Sequence, residues 1–123
     1  MEESNFKKLE VYKLAEGLAD LVWDIVKPWD HFARDTIGKQ LVRAADSVGA
    51  NIAEGCGRGT FQDNKRFVLI ARGSLNEVQF WLRRAYLRKL LTEEQVQQLK
   101  PIIEELPPRL NAYKKSIGAR GKT

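Results

Sequence analysis

Hydrophobic positions recur along this chain with a helical period, and nowhere do they alternate as a half-buried strand requires. From Lys7 to about Lys27, one side collects Val11, Leu14, Ala15, Leu18, Val22, Ile25 and Val26. Pro28 predicts the stop, because proline disfavours helical geometry in the residue before it. Asp30 is placed to cap a second helix over about Ala33 to Glu54, with Ile37, Leu41, Ala44, Ala45, Val48 and Ile52 on its apolar face. Ala45, Gly49 and Ala53 keep one flank of that helix small, which permits close helix–helix approach. Gly55, Gly57 and Gly59 predict its end, since glycine takes the left-handed geometry that helix ends favour. Thr60 with Asp63 reads as an imperfect capping box opening a third helix that runs to about Leu91. Its expected core face is Phe67, Ala71, Ser74, Val78, Trp81, Leu82 and Ala85.

Thr92 with Gln95 is a full capping box for a fourth helix. Val96, Leu99, Ile102, Ile103, Leu106, Leu110, Tyr113 and Ile117 form its stripe. Pro101, Pro107 and Pro108 fall inside it, and an interior proline costs on the order of 3 kcal/mol. The stripe nevertheless keeps one phase, so a single bent or interrupted helix is expected, kinked on its solvent side and not split into two independent rods. Residues after Ile117 carry no large apolar group and are expected to fray. Short loops make sequential helices antiparallel. The predicted fold is therefore all-α: an antiparallel up-down-up-down four-helix bundle, its fourth helix kinked by prolines. One domain covers residues 1–123, with an ordered core over about 6–117.

The second helix carries another pattern. Gln40, Arg43, Ser47, Asn51, Glu54 and Arg58 form a continuous polar row roughly 120° from the apolar face. Spacings of three and four align hydrogen-bonding types instead of scattering them over a solvated side. The row reads either as an oligomer interface or as a polar network whose members satisfy one another, and its regularity favours burial between subunits. If buried, each member needs a partner, since a lone buried charge is costly.

Composition narrows the chemistry. At 123 residues, 43% hydrophobic and 30% charged, the chain has the profile of one globular domain. No apolar run approaches the roughly 18–20 residues that span a bilayer, and the MEESNFKK start has no signal-like apolar stretch. No membrane association and a cytoplasmic location are expected. Cys56 and His31 are the sole residues of their types, so neither an internal disulfide nor a structural zinc site, which needs about four ligands, is available to one chain. No metal or cofactor is expected. Cys56 reads as a buried thiol; His31, in the loop beside Trp29 and Asp30, has no nucleophile at a suggestive spacing. Glycines in the GCGRG segment (Gly55–Gly59) precede a helix but lack the Gly-Lys-Ser/Thr ending of a phosphate loop.

Charge is unevenly placed. The formal net charge is +5. Between Phe61 and Leu91 stand seven basic residues against Asp63 and Glu77, whereas the first helix balances four lysines with four acids. Such asymmetry points to a polyanionic partner. On the third helix, Lys65, Arg72 and Arg83 lie within about 20° of one line, nearly opposite the expected core face. Arg66, Arg84 and Arg88 form a row beside it, and Gly73 and Phe80 fall between. An exposed aromatic among arginines can stack a nucleic-acid base or anchor a subunit interface; Gly73, which lets another backbone approach, favours the interface.

These strings resemble a known family. Phe6-Lys7-Lys8-Leu9-Glu10-Val11-Tyr12, Gln40-Leu41-Val42-Arg43-Ala44-Ala45, Ser47-Val48 and Asn51-Ile52-Ala53-Glu54-Gly55 with Arg58 are similar to the small bacterial proteins encoded in intervening sequences of 23S ribosomal RNA genes. Arg66-Phe67 and Ile70-Ala71-Arg72-Gly73-Ser74-Leu75-Asn76-Glu77 extend the likeness, which spans roughly residues 6 to 117. The resemblance implies a homopentamer of four-helix bundles with a basic surface and no enzymatic activity. Related accessory proteins of diversity-generating retroelements are similar pentamers that bind a reverse transcriptase and nucleic acid. The three prolines of the fourth helix depart from the family pattern. Two readings follow: a non-enzymatic oligomer holding RNA or DNA through its phosphate backbone, or a protein-interaction adaptor docking a nucleic-acid enzyme such as a reverse transcriptase.

Overall fold

The computed structural model describes residues 6–119. Among them are four long helices and no strand: α1 (Glu10–Val26), α2 (Lys39–Cys56), α3 (Phe61–Leu87) and α4 (Glu93–Ser116), preceded by a 3-10 turn at Phe6–Lys8. The expected unstructured ends fall mostly on residues 1–5 and 120–123, outside the described residues.

Local chemistry sets the helix ends. At the α1 terminus Lys27 keeps helical angles (φ −58°, ψ −30°) despite the following Pro28. The stop arises instead because Pro28 has no N–H to continue the ladder, and the Trp29 N–H closes a turn on the Val26 carbonyl at 2.9 Å. Asp30 caps as expected, its Oδ1 accepting from the Ala33 N–H at 3.0 Å. One helical turn, His31–Ala33, then leads through a π-helical segment, Arg34–Gly38, into α2. Within that segment the Thr36 hydroxyl donates to the Phe32 carbonyl at 2.7 Å, a side-chain bond that competes with the backbone ladder. The widened turn buries the adjacent Ile37 and Gly38 together.

Gly55 corrects the expected end of α2. It lies buried inside the helix, which continues to Cys56. Gly57 caps with φ −87°, not left-handed. Gly55 is small because α3 passes close: a Cβ there would stand 2.5 Å from Asn64 Oδ1, 3.0 Å from Phe67 Cβ and 3.1 Å from the Asn64 carbonyl oxygen. Gly49 faces α1 with more room: a Cβ there would stand in ordinary van der Waals contact with the Tyr12 ring at 3.5 Å and Ala15 Cβ at 3.7 Å.

Thr60 caps α3 by accepting from the Asp63 N–H at 3.0 Å, while the Asp63 carboxylate turns to Arg66 at 3.1 Å and Arg58 at 3.9 Å. The helix stops at Leu87, four residues before the expected Leu91. Leu90 N–H bonds the Ala85 carbonyl and Lys89 N–H the Tyr86 carbonyl, a Schellman motif with Lys89 in the left-handed position (φ 63°). Both arms of the Thr92–Gln95 capping box form. α4 then runs without a break through all three prolines, and Pro101 and Pro108 are solvent-exposed.

One apolar cluster unites the four helices. Leu18 and Val22 from α1, Leu41, Val48 and Ile52 from α2, Val68, Leu75 and Val78 from α3, and Leu99, Leu106 and Leu110 from α4 are its centre. The α3 face is rotated from the expected one. Val68 and Leu75 are buried, whereas Phe67, Ser74 and Trp81 are half-buried on its flank. α2 packs most extensively on α3 and then on α1, while α4 closes against α1 and α3.

Candidate nucleic-acid and partner interface

A 27-residue helix flanked by α2 and α4 leaves its remaining side to solvent. On α3 that side carries Arg66, Leu69, Gly73, Asn76, Phe80, Arg83 and Leu87. Their spacing alternates three and four residues, which makes a straight seam of the kind that packs on another helix. Leu69, Phe80 and Leu87 are 57%, 55% and 49% exposed. A Cβ added at Gly73 would meet nothing within 4 Å, so the chain's own packing gives no reason for glycine there.

The six cations expected on this helix separate into distinct settings. Arg83 and Arg88 are exposed. Arg84 is half-buried, its guanidinium 6.0 Å from the centre of the Phe80 ring, and Phe80 in turn meets Trp81 edge-to-face at 4.9 Å. Arg66 is exposed but engaged, with Nε donating to Asp63 Oδ1 at 3.1 Å and its guanidinium 4.7 Å from the Phe67 ring. Arg72 is half-buried and held against α4, where Nη1 donates to Asn111 Oδ1 at 3.0 Å while the buried Nε has no partner. Lys65 is half-buried in a cleft of about 450 Å³ with Gln62, Arg66 and Lys114. Among the described residues, Lys65, Arg72, Arg83, Arg84 and Arg88 form no ion pair. Lys114, brought here by the end of α4, was not foreseen; it is separated from Lys65 by 49 positions in sequence.

The polar row of α2 lies along its seam with α3. Ser47 Oγ and Ser74 Oγ are 2.9 Å apart, joining the two helices. Asn51 Nδ2 donates to the Ser47 carbonyl at 2.8 Å and to Ser47 Oγ at 2.9 Å. Gln40, Arg43 and Ser47 line a small cleft of about 140 Å³ with Glu77 of α3, whose carboxylate accepts from Trp81 Nε1 at 3.3 Å. Arg58 pairs with Glu54 at 3.4 Å and stacks over Phe67 at 4.7 Å. Within one chain Gln40, Ser47 and Asn51 are half-buried, while Arg43, Glu54 and Arg58 are exposed.

The remaining titratable groups are structural or solvated. Cys56 Sγ lies 3.2 Å from Tyr113 Oη, and burial, followed by that thiol contact, pushes the Tyr113 phenol well up. His31 pairs with Asp35 at 3.1 Å on the surface. Between α1 and α2, Glu16, Asp20 and Asp46 face Tyr12 in a groove of about 320 Å³ floored by Ala15 and Gly49. Burial and then the neighbouring Asp20 raise the Asp46 carboxyl above the ordinary carboxylate range. Burial, then Glu16, likewise raises Tyr12. Among the described residues no group of three or more His, Cys, Asp or Glu side chains converges as a metal site, and no helix is long and apolar enough to cross a membrane.

Comparison with known proteins follows the same outline. A family model described as 23S rRNA-intervening sequence protein matches residues 7–112. A crystal structure of a protein of unknown function from the S23 ribosomal protein family of Bacteroides thetaiotaomicron VPI-5482 superposes with a TM-score of 0.75. It is 23% identical, and the match covers 86% of this chain and 99% of that one. No curated protein matches the chain.

Proposed function

Because this chain belongs to the 23S rRNA-intervening sequence protein family, we propose that it is a non-enzymatic, basic oligomer that holds RNA or DNA through the phosphate backbone. The observation that carries the reading is the run of cations on α3 with no carboxylate partner among the described residues, notably Arg83, Arg84 and Arg88. Phosphates supply the missing charge through many weak, salt-sensitive contacts. Sequence readout is not part of the proposal, since no groove-reading motif is present.

In this reading the helices form an up-down-up-down bundle in the cytoplasm, with α4 bent at its prolines. Residue pairings support the antiparallel order: Gly49 beside Tyr12 and Ala15 but Gly38 beside Val26, then Gly55 beside Asn64 but Ser47 beside Ser74. The assembly is a homopentamer, a number that comes from the family resemblance. Its contacts are assigned to the Leu69–Gly73–Phe80 part of the α3 seam and to Glu54 and Arg58 of the α2 polar row, which leaves Arg83, Arg84 and Arg88 to the phosphates. That same apolar seam favours the second reading, an adaptor that docks a nucleic-acid enzyme such as a reverse transcriptase.

Filter retention of structured RNA at two salt concentrations tests the first reading, with retention falling steeply as salt rises. Absent or salt-independent retention overturns it. Capture of a protein partner that survives nuclease treatment turns the assignment to the adaptor.

A further inference from the structure

A second cleft lies where the end of α1 meets the start of α2, and the α3 reading does not use it. It is an open groove of about 430 Å³. Trp23 forms one wall, Val26 and Val42 line the apolar floor, and Arg34, Lys39 and Arg43 stand around it. Trp23 sits one turn from the end of α1 and is 57% exposed, although Val22 and Val26 beside it are buried. The π-helical turn supplies the opposite wall. Gly38 approaches α1 so closely that a Cβ would stand 2.7 Å from Val26 Cγ1, which closes the cleft at its base.

The rim is positively charged with little local compensation. Lys27 also lines the cleft, but its ammonium pairs with Asp24 at 3.1 Å. Its carbonyl accepts from Arg34 Nη1 at 3.2 Å, which fixes that guanidinium across the opening. Lys39 and Arg43, four residues apart and therefore on one helix face, form no ion pair among the described residues. Glu77 lines the small cleft on the other side of Arg43 but makes no ion pair with it.

An aromatic wall, an apolar floor and a cationic rim together complement a flat anion. A neutral apolar molecule leaves the rim charges unanswered, and a bare inorganic anion leaves the indole wet. The volume falls within the range of small-molecule sites. Base–aromatic stacking is sequence-tolerant, and the phosphate contacts at the rim add to it. We propose that this cleft binds a single nucleotide unit, the base stacked on Trp23 and the phosphate held by Lys39 and Arg43. The choice of a nucleotide among flat anions rests on the nucleic-acid reading above. The same chemistry is offered by a free mononucleotide and by an unstacked residue of a strand.

Calorimetric titration with adenosine 5′-monophosphate, adenosine, ribose 5-phosphate and a short adenylate oligonucleotide tests the site. The monophosphate is expected to bind about tenfold or more tighter than either fragment, as a charged phosphate contact requires. Trp23→Ala is expected to weaken it about fivefold or more, and the Lys39→Ala/Arg43→Ala pair to erase its advantage over adenosine. Circular dichroism checks that each variant folds, and Lys100→Ala, outside the cleft, binds like the unaltered chain. If only the oligonucleotide binds and Trp23→Ala weakens it, the occupant is a strand nucleotide and the proposal holds. Equal binding of adenosine and its monophosphate overturns it. Retention of structured RNA with no effect of Trp23→Ala and no binding of the monophosphate sinks this site and leaves the α3 reading standing. Saturable binding of the monophosphate without RNA retention sinks the α3 reading alone. A shift in sedimentation on Trp23→Ala with no nucleotide effect assigns the cleft to a second copy of the chain and overturns the proposal.

Discussion

Two glycines on facing helices, Gly73 of α3 and Gly55 of α2, separate what the chain needs for itself from what it offers to a partner. Replacing a mid-helix glycine by alanine stabilises a helix by roughly 1 kcal/mol, through backbone entropy. At Gly73 nothing opposes that gain, because a Cβ meets no atom within 4 Å. For a chain of 123 residues, 1 kcal/mol corresponds to about 4 °C in the unfolding midpoint. At Gly55 the same entropic gain meets Asn64 Oδ1 at 2.5 Å, Phe67 Cβ at 3.0 Å and a backbone carbonyl at 3.1 Å. Overpacking of this kind costs about 1–3 kcal/mol, so Gly55→Ala is expected to be neutral to about 2 kcal/mol less stable. Thermal unfolding of both variants at low protein concentration, where association contributes least, measures the pair. Sedimentation then supplies the second readout: Gly73→Ala is expected to shift the chain toward smaller species while raising the stability of the protomer. A less stable Gly73→Ala protomer would refute the view that the chain itself has no use for that glycine. Unchanged assembly would remove Gly73 from the interface.

Three further substitutions probe other parts of the account. Lys89→Gly is expected to raise stability by about 1 kcal/mol in denaturant unfolding, since Lys89 holds a left-handed angle that glycine adopts without a Cβ penalty; a loss would contradict the Schellman geometry. Asp46→Asn is expected to raise the midpoint at neutral pH. The folded-state carboxyl titrates above its unfolded value, so its ionised form costs stability, and that cost is relieved as pH falls through the raised folded value toward the unfolded one near ~3.9. The advantage of the variant should therefore vanish at about pH 3, and an advantage confined to acid would reverse the argument. Glu54→Ala removes an exposed pair worth only about 0.5 kcal/mol within the chain, yet is expected to dissociate the oligomer where Glu10→Ala does not; equal sedimentation of the two returns the α2 row to ordinary surface.

What could be read in advance was local. The Asp30 cap and the Thr92–Gln95 box involve residues three apart, and both form. The α1 and α2 core faces follow from period, because their apolar residues cluster on one side. α3 carries large apolar residues on its outer side as well, Leu69, Phe80 and Leu87 among them, so period could not fix the phase that buries Val68 and Leu75 and leaves Phe67, Ser74 and Trp81 on the flank. Gly55 looks like punctuation until α3 is laid across it. The tie between Arg72 and Asn111 spans 39 positions. The Trp23 cleft depends on a π turn that carries no short-range signature. Leu69 and Leu87 did have a signal, standing eleven before and seven after Phe80 on the same face, and marking them would have disclosed the seam.

The most direct test of the central claim, that the cations at the C-terminal end of α3 grip nucleic-acid phosphates, is the salt dependence of RNA affinity for the chain and for its Arg83→Ala/Arg84→Ala/Arg88→Ala variant. Each lost phosphate contact lowers the slope of log affinity against log salt by about 0.7–1, so the triple variant should bind more weakly with a slope smaller by about 2–3. An identical slope and affinity for the two proteins would contradict the claim.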